Sequence, residues 1–209
     1  VGSNPIGIEG YKTLAYEIAE QSNWNVPDWC VLPVCYGDAL FGMWKGFDEM
    51  IRWGWIDACP RLVAAEVSGS LSAAADQNLD MPPAVSRNSK SIANSIDVTR
   101  GTFQAHEALK RSHGCAIALD DTALVDAKNK LARTSGLSVE TSSAAAFAAI
   151  DVLASRNIIG PEDNVLAVLT ASGLKDYGTS GTDRLEALEV DPSLSSVLGA
   201  LSNAYGFHV

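Results

Sequence analysis

Residues 29–47, WCVLPVCYGDALFGMWKGF, are the stretch of sequence that decides the fold. The apolar run at 30–34 predicts a buried β-strand, and Pro33, which lacks an N–H, is expected near its end. Cys35-Tyr36-Gly37-Asp38 then interrupts the run, and apolar side chains recur at helical spacing over residues 40–51. A strand, a tight turn and a helix in this order are typical of one unit of an α/β protein.

Units of the same kind follow along the chain. Apolar runs predict further strands at residues 62–67, 116–119 and 165–169, with another strand-turn-helix unit at 137–152. Helical periodicity predicts helices at residues 11–21, 40–51, 121–134, 142–152 and 192–204. Because the strands are apolar on both faces and alternate with helices, we expect a three-layer αβα fold with a mainly parallel sheet.

Short-range signals place some of the helix ends. Asp120 is expected to cap the helix at 121–134, and Gly136 to end it. Thr141 or Ser142 is expected to cap the following helix. Residues 68–102, rich in Ser, Asn and Asp, predict an irregular excursion or short helices over the surface.

Composition excludes several classes of function. The chain of 209 residues carries a formal net charge of −10 without a cluster of Lys and Arg, which argues against nucleic acid or an anionic membrane surface as a partner. Its apolar runs are shorter than a membrane span. Its four cysteines form no C-x-x-C pair and its three histidines complete no zinc spacing, so we expect reduced thiols, a cytoplasmic location and no metal.

The tetrapeptide at 35–38 is a candidate ligand site. Ligands of open α/β sheets bind beyond the carboxyl ends of the strands, where a helix N-terminus offers unpaired N–H groups that suit phosphate. Gly37 permits close approach of the backbone to a ligand. The alternative is a plain strand-turn-helix junction in which Asp38 caps the helix. Cys35 is either a reactive thiol near the helix N-terminus or a packing residue.

Five short motifs surround this turn in one order along the chain. They are Asn4-Pro5-x-x-x-Glu9-Gly10-x-Lys12-Thr13, Pro33-Val34, Trp44-Lys45-Gly46-Phe47, Glu140-x-Ser142-Ser143-Ala144-Ala145 and Leu169-Thr170-x-x-Gly173-Leu174-Lys175-Asp176. Together they resemble threonine synthase, a pyridoxal-phosphate (PLP) enzyme of the tryptophan-synthase-β type. The resemblance implies the large-domain portion of a fold-type-II PLP enzyme.

The resemblance implies a cofactor-binding role for the turn. Cys35, Tyr36, Gly37, Asp38 and Ala39 would cradle the PLP phosphate with their backbone N–H groups. The family loop is typically G-N-A-G-N, so a left-handed backbone at Cys35 would be strained. Asp38 places an acid beside a dianion, and at ~5 Å and an effective dielectric of ~20 each pair of unit charges repels by about 3 kcal/mol. We therefore expect Asp38 to turn its carboxylate away to cap the helix.

Thr170 would supply the second contact. By resemblance its hydroxyl meets the pyridine nitrogen of PLP, and a neutral hydroxyl does not favour a protonated ring; the alternative is that Thr170 only satisfies backbone groups at the strand end. Glu140 would lie near the cofactor ring, or serve only as a partner of a helix dipole. Arg87, Lys90 and Arg100 could meet an anionic substrate or remain solvated.

The chain has no catalytic residue by this resemblance. The family's Schiff-base Lys, in a Ser-Phe-Lys-Asp context upstream of Asn4-Pro5, is absent, and so is the Ser/Asn-rich loop that grips the substrate carboxylate. Residues 1–176 would thus form the C-terminal, large-domain portion of the enzyme. Residues 177–209 would be a tail with one helix packing on that domain. The missing N-terminal portion, or a second chain, would supply the rest, and the isolated portion would be inactive.

The implied function is that of a PLP-dependent lyase acting on a small amino-acid substrate. Threonine synthases convert O-phosphohomoserine and water to threonine and phosphate, and the resemblance also implies a homodimer. Two alternatives stay open. One is an ammonia-lyase of the diaminopropionate or serine/threonine type, because the cradle departs from the family pattern. The other is a non-catalytic homologue that binds a phosphorylated ligand or a partner.

Overall fold

The computed structural model describes residues 4–86, 89–176 and 188–207. The chain divides into two compact units, Val1–Lys175 and Asp176–Val209. The prediction that the tail packs on the main domain stays a prediction, and its residues 177–187 lie outside the described part, as does Arg87. None of the helices in the described ranges combines the length and the apolar character needed to cross a lipid bilayer.

A four-stranded parallel sheet lies at the centre of the first unit. Its strands are Trp29–Pro33 (β1), Arg61–Glu66 (β2), Cys115–Ala118 (β3) and Val165–Ala167 (β4). They lie in the order β3-β2-β1-β4, and every pairing is parallel. The strands predicted at residues 30–34, 62–67, 116–119 and 165–169 are present, with bounds that differ by one or two residues. The predicted α/β class with a mainly parallel sheet is confirmed.

Helices connect and cover the strands. In chain order they are Pro5–Gly10 (α1), Lys12–Gln21 (α2), Asp38–Arg52 (α3), Ser70–Asp76 (α4), Phe103–Arg111 (α5), Asp121–Ser135 (α6), Thr141–Ser155 (α7) and Leu194–Tyr205 (α8). Short 3-10 turns lie at Asn94–Ile96 and Gly173–Lys175. Helix α8 belongs to the second unit, and Ser193 caps its N-terminus by accepting the N–H of Ser196.

The pleat of the strands separates two hydrophobic cores. Successive side chains of β1 point to opposite faces, so Val31 joins one core and Cys30 and Leu32 join the other. The Val31 core is closed by the apolar sides of α6 and α7, and the Leu32 core by those of α2, α3 and α5. Helices therefore cover both faces of the sheet, which confirms the predicted three layers.

Two glycines allow α3 to approach α1 and α2 closely. A Cβ at Gly42 would lie 2.7 Å from the carbonyl oxygen of Ile8, and a Cβ at Gly46 would lie 2.8 Å from that of Lys12. Lys12 also forms ion pairs with Glu9 and Glu49. Gly46 thus has a packing role, because the backbone of α2 occupies the space that a side chain at position 46 would need.

Several helix ends follow the sequence signals and others do not. Asp120 caps α6 by accepting the N–H of Ala123 at 2.8 Å, and Gly136 ends α6 with a φ of 69°, as predicted. The expected cap of α7 at Thr141 or Ser142 is wrong, because α7 begins one residue earlier and Glu140 occupies the N-cap position. The strand expected after 137 is reduced to an isolated antiparallel bridge between Val139 and Ser172.

The sequence interpretation also missed two helices. Helix α1 lies in a segment too short to show a helical period, although Asn4 caps it by accepting the N–H of Ile6 at 3.0 Å. Helix α5 follows directly on the polar excursion at 68–102. Its capping residue, Thr102, accepts the N–H of Ala105 at 3.2 Å and is the signal that could have revealed it.

Candidate functional site

A cavity of about 360 Å³ opens at the carboxyl edge of the sheet. Its size lies at the lower end of the range for small-molecule sites, about 300–1,000 Å³. It is lined by residues from five separate parts of the chain: Tyr11, residues 33–40, Ser95 with Ile96, Glu140 with Ser142, and Thr170. All six residues expected to contact the cofactor lie in this one lining.

The backbone of helix α3 forms one end of the cavity. Strand β1 ends at Pro33, and α3 begins at Asp38 with Gly37 as its N-cap residue. The first N–H groups of a helix have no partner within the helix. Within the described part of the chain, the N–H groups of Asp38, Ala39 and Leu40 have no hydrogen-bond acceptor. They therefore remain available to a ligand at the positive end of a 15-residue helix.

Gly37 is required where the chain turns into the helix. Its φ of 97° is left-handed, and a Cβ built at Gly37 would lie 2.2 Å from Cβ of Ala105 in helix α5. Thr102, which caps α5, donates its hydroxyl hydrogen to the carbonyl oxygen of Tyr36 at 2.7 Å. Contacts with the N-terminus of α5 thus fix the position of the turn that precedes α3.

Asp38 does not cap helix α3, so this prediction is wrong. Asp38 is the first helical residue, and no side chain caps the helix. The cause is the left-handed Gly37, which takes the N-cap position one residue earlier. The half-buried Asp38 is part of the cavity lining, and its charge acts on the neighbouring Cys35 thiol.

The surroundings of Cys35 favour the protonated thiol. Burial raises its pKa, and the Asp38 carboxylate adds to this, although a hydrogen bond from the backbone of Tyr36 acts in the opposite direction. The raised pKa therefore favours the packing role of Cys35 over the reactive thiol. Within the described chain, Cys35 does not have a positive φ, so the strained left-handed backbone expected there is not formed. Gly37 adopts the left-handed conformation instead, and a glycine does so at little cost.

Side-chain hydroxyls form the other end of the cavity. Thr170 follows β4 by three residues and is exposed to the cavity. Its Oγ1 lies 2.8 Å from Oγ of Ser143, a fully buried residue in the first turn of α7. Ser143 Oγ also accepts the N–H of Ala171 at 2.8 Å. A contact between α7 and the end of the β4 segment therefore fixes Thr170.

The polar excursion supplies a wall of the cavity through two residues that the sequence interpretation did not single out. The 3-10 turn Asn94–Ile96 brings Ser95 and Ile96 to the lining, where Ser95 donates its hydroxyl hydrogen to Glu140 at 2.5 Å. These residues are 45 positions apart, and no local pattern links them. Lys90 and Arg100 are exposed and are not among the lining residues, and Arg100 donates to the carbonyl oxygen of Pro82.

The donors of the cavity fit a phosphorylated ligand that carries a polar ring. Backbone amides at the α3 end suit a phosphate, and the Thr170 hydroxyl can meet a ring atom. Within the described chain the lining includes the carboxylates of Asp38 and Glu140 and no Lys or Arg. A phosphate here would be held by backbone N–H groups and the helix dipole, and the Asp38 carboxylate would repel it.

Sequence comparison connects this geometry with known enzymes. The sequence profile of the family described as "Pyridoxal-phosphate dependent enzyme" matches residues 1–171. A threonine synthase of Methanocaldococcus jannaschii is 34% identical over 178 residues, which are 83% of this chain and 44% of that protein. A threonine synthase of Methanosarcina acetivorans is 30% identical over 201 residues, or 95% and 50%. The chain thus spans about half the length of these curated relatives.

Solved structures share the fold. A fungal L-serine ammonia-lyase from Rhizomucor miehei superposes with a TM-score of 0.64 at 23% identity, covering 79% of this chain and 51% of that one. The serine racemase of maize gives a TM-score of 0.59 at 21% identity, covering 83% and 51%. At these identities the similarity establishes a shared architecture and not a shared reaction.

Proposed function

The chain belongs to the family of pyridoxal-phosphate dependent enzymes, and from that premise we propose that its cavity binds the cofactor of the family. The N–H groups of the predicted cradle at residues 35–39, joined by the free N–H of Leu40, would hold the phosphate, and Thr170 would meet the ring nitrogen. One observation carries this proposal: the free amides of α3 and the Thr170 hydroxyl, which are distant in sequence, line the same cavity.

Each part of the lining has a separate task in this proposal. Bound PLP supplies the electron-withdrawing ring that makes bonds of an amino-acid substrate labile. The α3 amides fix one end of the cofactor, Gly37 lets the backbone turn towards the phosphate, and Thr170 orients the ring by a hydrogen bond. Glu140, held by Ser95, provides a carboxylate beside the ring. Ile96 and Leu40 provide apolar surface.

We further propose that the whole enzyme is a threonine synthase-like lyase, converting O-phosphohomoserine and water to threonine and phosphate. The relatives that are 34% and 30% identical, both threonine synthases, support this reaction. The Schiff-base lysine would come from residues outside this chain, so we expect residues 1–209 alone to be inactive. Residues 1–176 would belong to the large domain, with 177–209 as its tail. We also propose a cytoplasmic location, as expected from the cysteine spacing of the sequence.

Binding can be tested on this chain alone. Pyridoxine 5′-phosphate carries the ring and the phosphate but no aldehyde, so its binding needs no lysine. We expect it to raise the melting temperature of the chain, because a ligand that binds only the folded state stabilises it. Pyridoxine without phosphate is the matched control and should have a much smaller effect. Equal effects of the two ligands, or none, would contradict a phosphate site at residues 35–40.

The reaction needs the chain joined to a segment with a lysine in the Ser-Phe-Lys-Asp context. With O-phosphohomoserine we expect equal amounts of threonine and inorganic phosphate, and borohydride should attach PLP to a single lysine. Release of ammonia and a 2-oxo acid from serine, threonine or diaminopropionate would instead indicate an ammonia-lyase. A polypeptide that binds the phosphorylated ligand but attaches no PLP would indicate a non-catalytic homologue.

A further inference from the structure

Ser143 occupies an unusual position behind the cavity. It is fully buried in the first turn of α7, where Ser142 beside it lines the cavity but Ser143 does not. Among the described residues, Ser143 Oγ has two hydrogen-bond partners, Thr170 Oγ1 at 2.8 Å and the N–H of Ala171 at 2.8 Å. Ser143 thus reaches a ligand only through Thr170.

The direction of the hydrogen bond between the two hydroxyls follows from their surroundings. Ser143 accepts from Ala171, so its own hydrogen still needs an acceptor, and within the described chain only Thr170 offers one. If Thr170 donated instead, the Ser143 hydrogen would be buried without a partner, which costs more than a typical hydrogen bond gains. Thr170 is exposed, so its hydrogen can be satisfied by water or by a ligand in the cavity. Ser143 is therefore the donor.

We propose that Ser143 is a positioning residue that makes Thr170 a hydrogen-bond donor towards the cavity. Because Thr170 Oγ1 accepts from Ser143, its hydrogen points away from Ser143 and is offered to the ligand. A ring nitrogen there must be an acceptor, which only an unprotonated nitrogen is. This inference rests on the proposed cofactor site, and it adds that α7 sets the protonation state of the ring through Thr170.

The accepted N–H of Ala171 strengthens this arrangement. A hydroxyl that accepts a hydrogen bond becomes a better donor, so the backbone of Ala171 polarises Ser143 towards Thr170. Other titratable groups also line the cavity and act on a bound ring: Asp38, Glu140, Cys35, Tyr11 and Tyr36. Their influence is the same with and without the Ser143 hydroxyl. A comparison of two variants therefore isolates the contribution of Ser143.

The test uses pyridoxine 5′-phosphate labelled with nitrogen-15 in the ring. The nitrogen chemical shift of the bound ligand, followed over pH, gives the protonation constant of the ring nitrogen without any catalysis. In Ser143→Ala the Thr170 hydroxyl is free to accept as well as to donate. We expect the protonation constant of the ring nitrogen to rise about tenfold relative to the unchanged chain. The reason is that the hydrogen bond from Ser143, which holds Thr170 as a donor to the neutral ring, has been lost.

Ser112→Ala is the matched control. Ser112 is also buried, and its hydroxyl also accepts one backbone N–H, that of Leu62, while donating to Ala108. It is not part of the cavity lining. We expect Ser112→Ala to destabilise the chain about as much as Ser143→Ala does, without a change in ring protonation. An equal rise in both variants would overturn the proposal.

The outcomes separate this inference from the proposed function. If the ligand does not bind the unchanged chain, both proposals fail. If it binds, and Thr170→Val alters the ring protonation while Ser143→Ala does not, the role of Ser143 fails and the cofactor site stands. Should Ser143→Ala not fold, Ser143→Cys keeps the shape with a weaker donor. It is then expected to raise the protonation constant by a smaller factor, and an unchanged constant overturns the proposal.

Discussion

The two ends of the cavity are built on different principles. At residues 35–40 the proposed phosphate contacts are backbone N–H groups, which line the cavity because helix α3 begins there. At Thr170 the proposed ring contact is a side-chain hydroxyl, and we infer that its direction depends on Ser143, 27 positions earlier in the chain. Most side chains of the first end can therefore change while its function is retained, whereas at the second end the loss of one hydroxyl removes the contact.

The largest effect in this comparison is expected at Gly37, where the backbone end depends on one residue. Gly37→Ala combines a left-handed φ with a clash against Ala105. We expect the free energy of unfolding to fall by about 3 kcal/mol and binding of pyridoxine 5′-phosphate to be lost. Denaturant unfolding and a ligand titration measure the two effects.

Gly136→Ala is the control for Gly37→Ala. Gly136 also has a positive φ, of 69°, but a Cβ there meets nothing within 4 Å. We expect a fall of about 1 kcal/mol, which is the cost of the backbone conformation alone. If both variants lose the same stability, the packing of α5 against the turn contributes nothing.

Asp38 provides the next largest effect, because a charge at the backbone end opposes phosphate binding. We expect Asp38→Asn to bind pyridoxine 5′-phosphate about tenfold more tightly, which is less than the full repulsion because Asp38 is only half-buried. Isothermal titration calorimetry measures this change. Affinity for pyridoxine should stay constant, and a parallel gain for both ligands would show that the phosphate lies elsewhere.

Thr170→Val tests the side-chain end and is expected to be milder. Loss of one hydrogen bond should weaken binding about three- to tenfold, equally for ligands with and without phosphate, and should shift the absorption of the bound ring. Thr170→Ser keeps the hydroxyl and serves as the control. An unchanged spectrum in Thr170→Val would remove Thr170 from the ring contact.

The smallest effect is expected at Cys35, whose rate of alkylation should depend on pH. Because burial raises the pKa of Cys35, its thiolate fraction near neutral pH is lower than that of a free thiol. We expect its alkylation by iodoacetamide, followed by mass spectrometry, to be slower than that of glutathione at pH 8. The rate should keep rising with pH beyond the range where glutathione levels off. A rate that levels off near pH 7 would indicate a lowered pKa instead.

Local signals in the sequence were sufficient for most of the fold. The apolar runs predicted all four strands, since strands buried on both faces need continuous apolar residues. Asp120 and Gly136 predicted the ends of α6 because capping acts within one turn of the chain. The predicted cap at Asp38 rested on the same kind of local signal, because Asp is a good N-cap residue. This prediction was wrong because the left-handed Gly37 occupies the N-cap position.

The candidate site was partly predictable. Motifs predicted the turn at 35–39 and Thr170 as parts of one site, and both line one cavity because each follows a strand within a few residues and parallel strands end at the same edge of a sheet. The contribution of Ser95 and Ile96 could not be predicted. They reach the cavity from an excursion without periodicity, and their position depends on the path of that segment over the surface.

By itself the sequence determined the layers, the strand-turn-helix junction and the family. These features follow from periodicity, capping residues and the order of motifs, which depend on residues close together in the chain. Only the tertiary structure decided that α5 packs against Gly37, that Asp38 lines the cavity without capping α3, and that Ser143 lies within hydrogen-bond distance of Thr170. The physical reason is that these contacts join residues far apart in the chain. Their geometry is set by how the elements pack on the sheet, and local sequence patterns do not encode that packing.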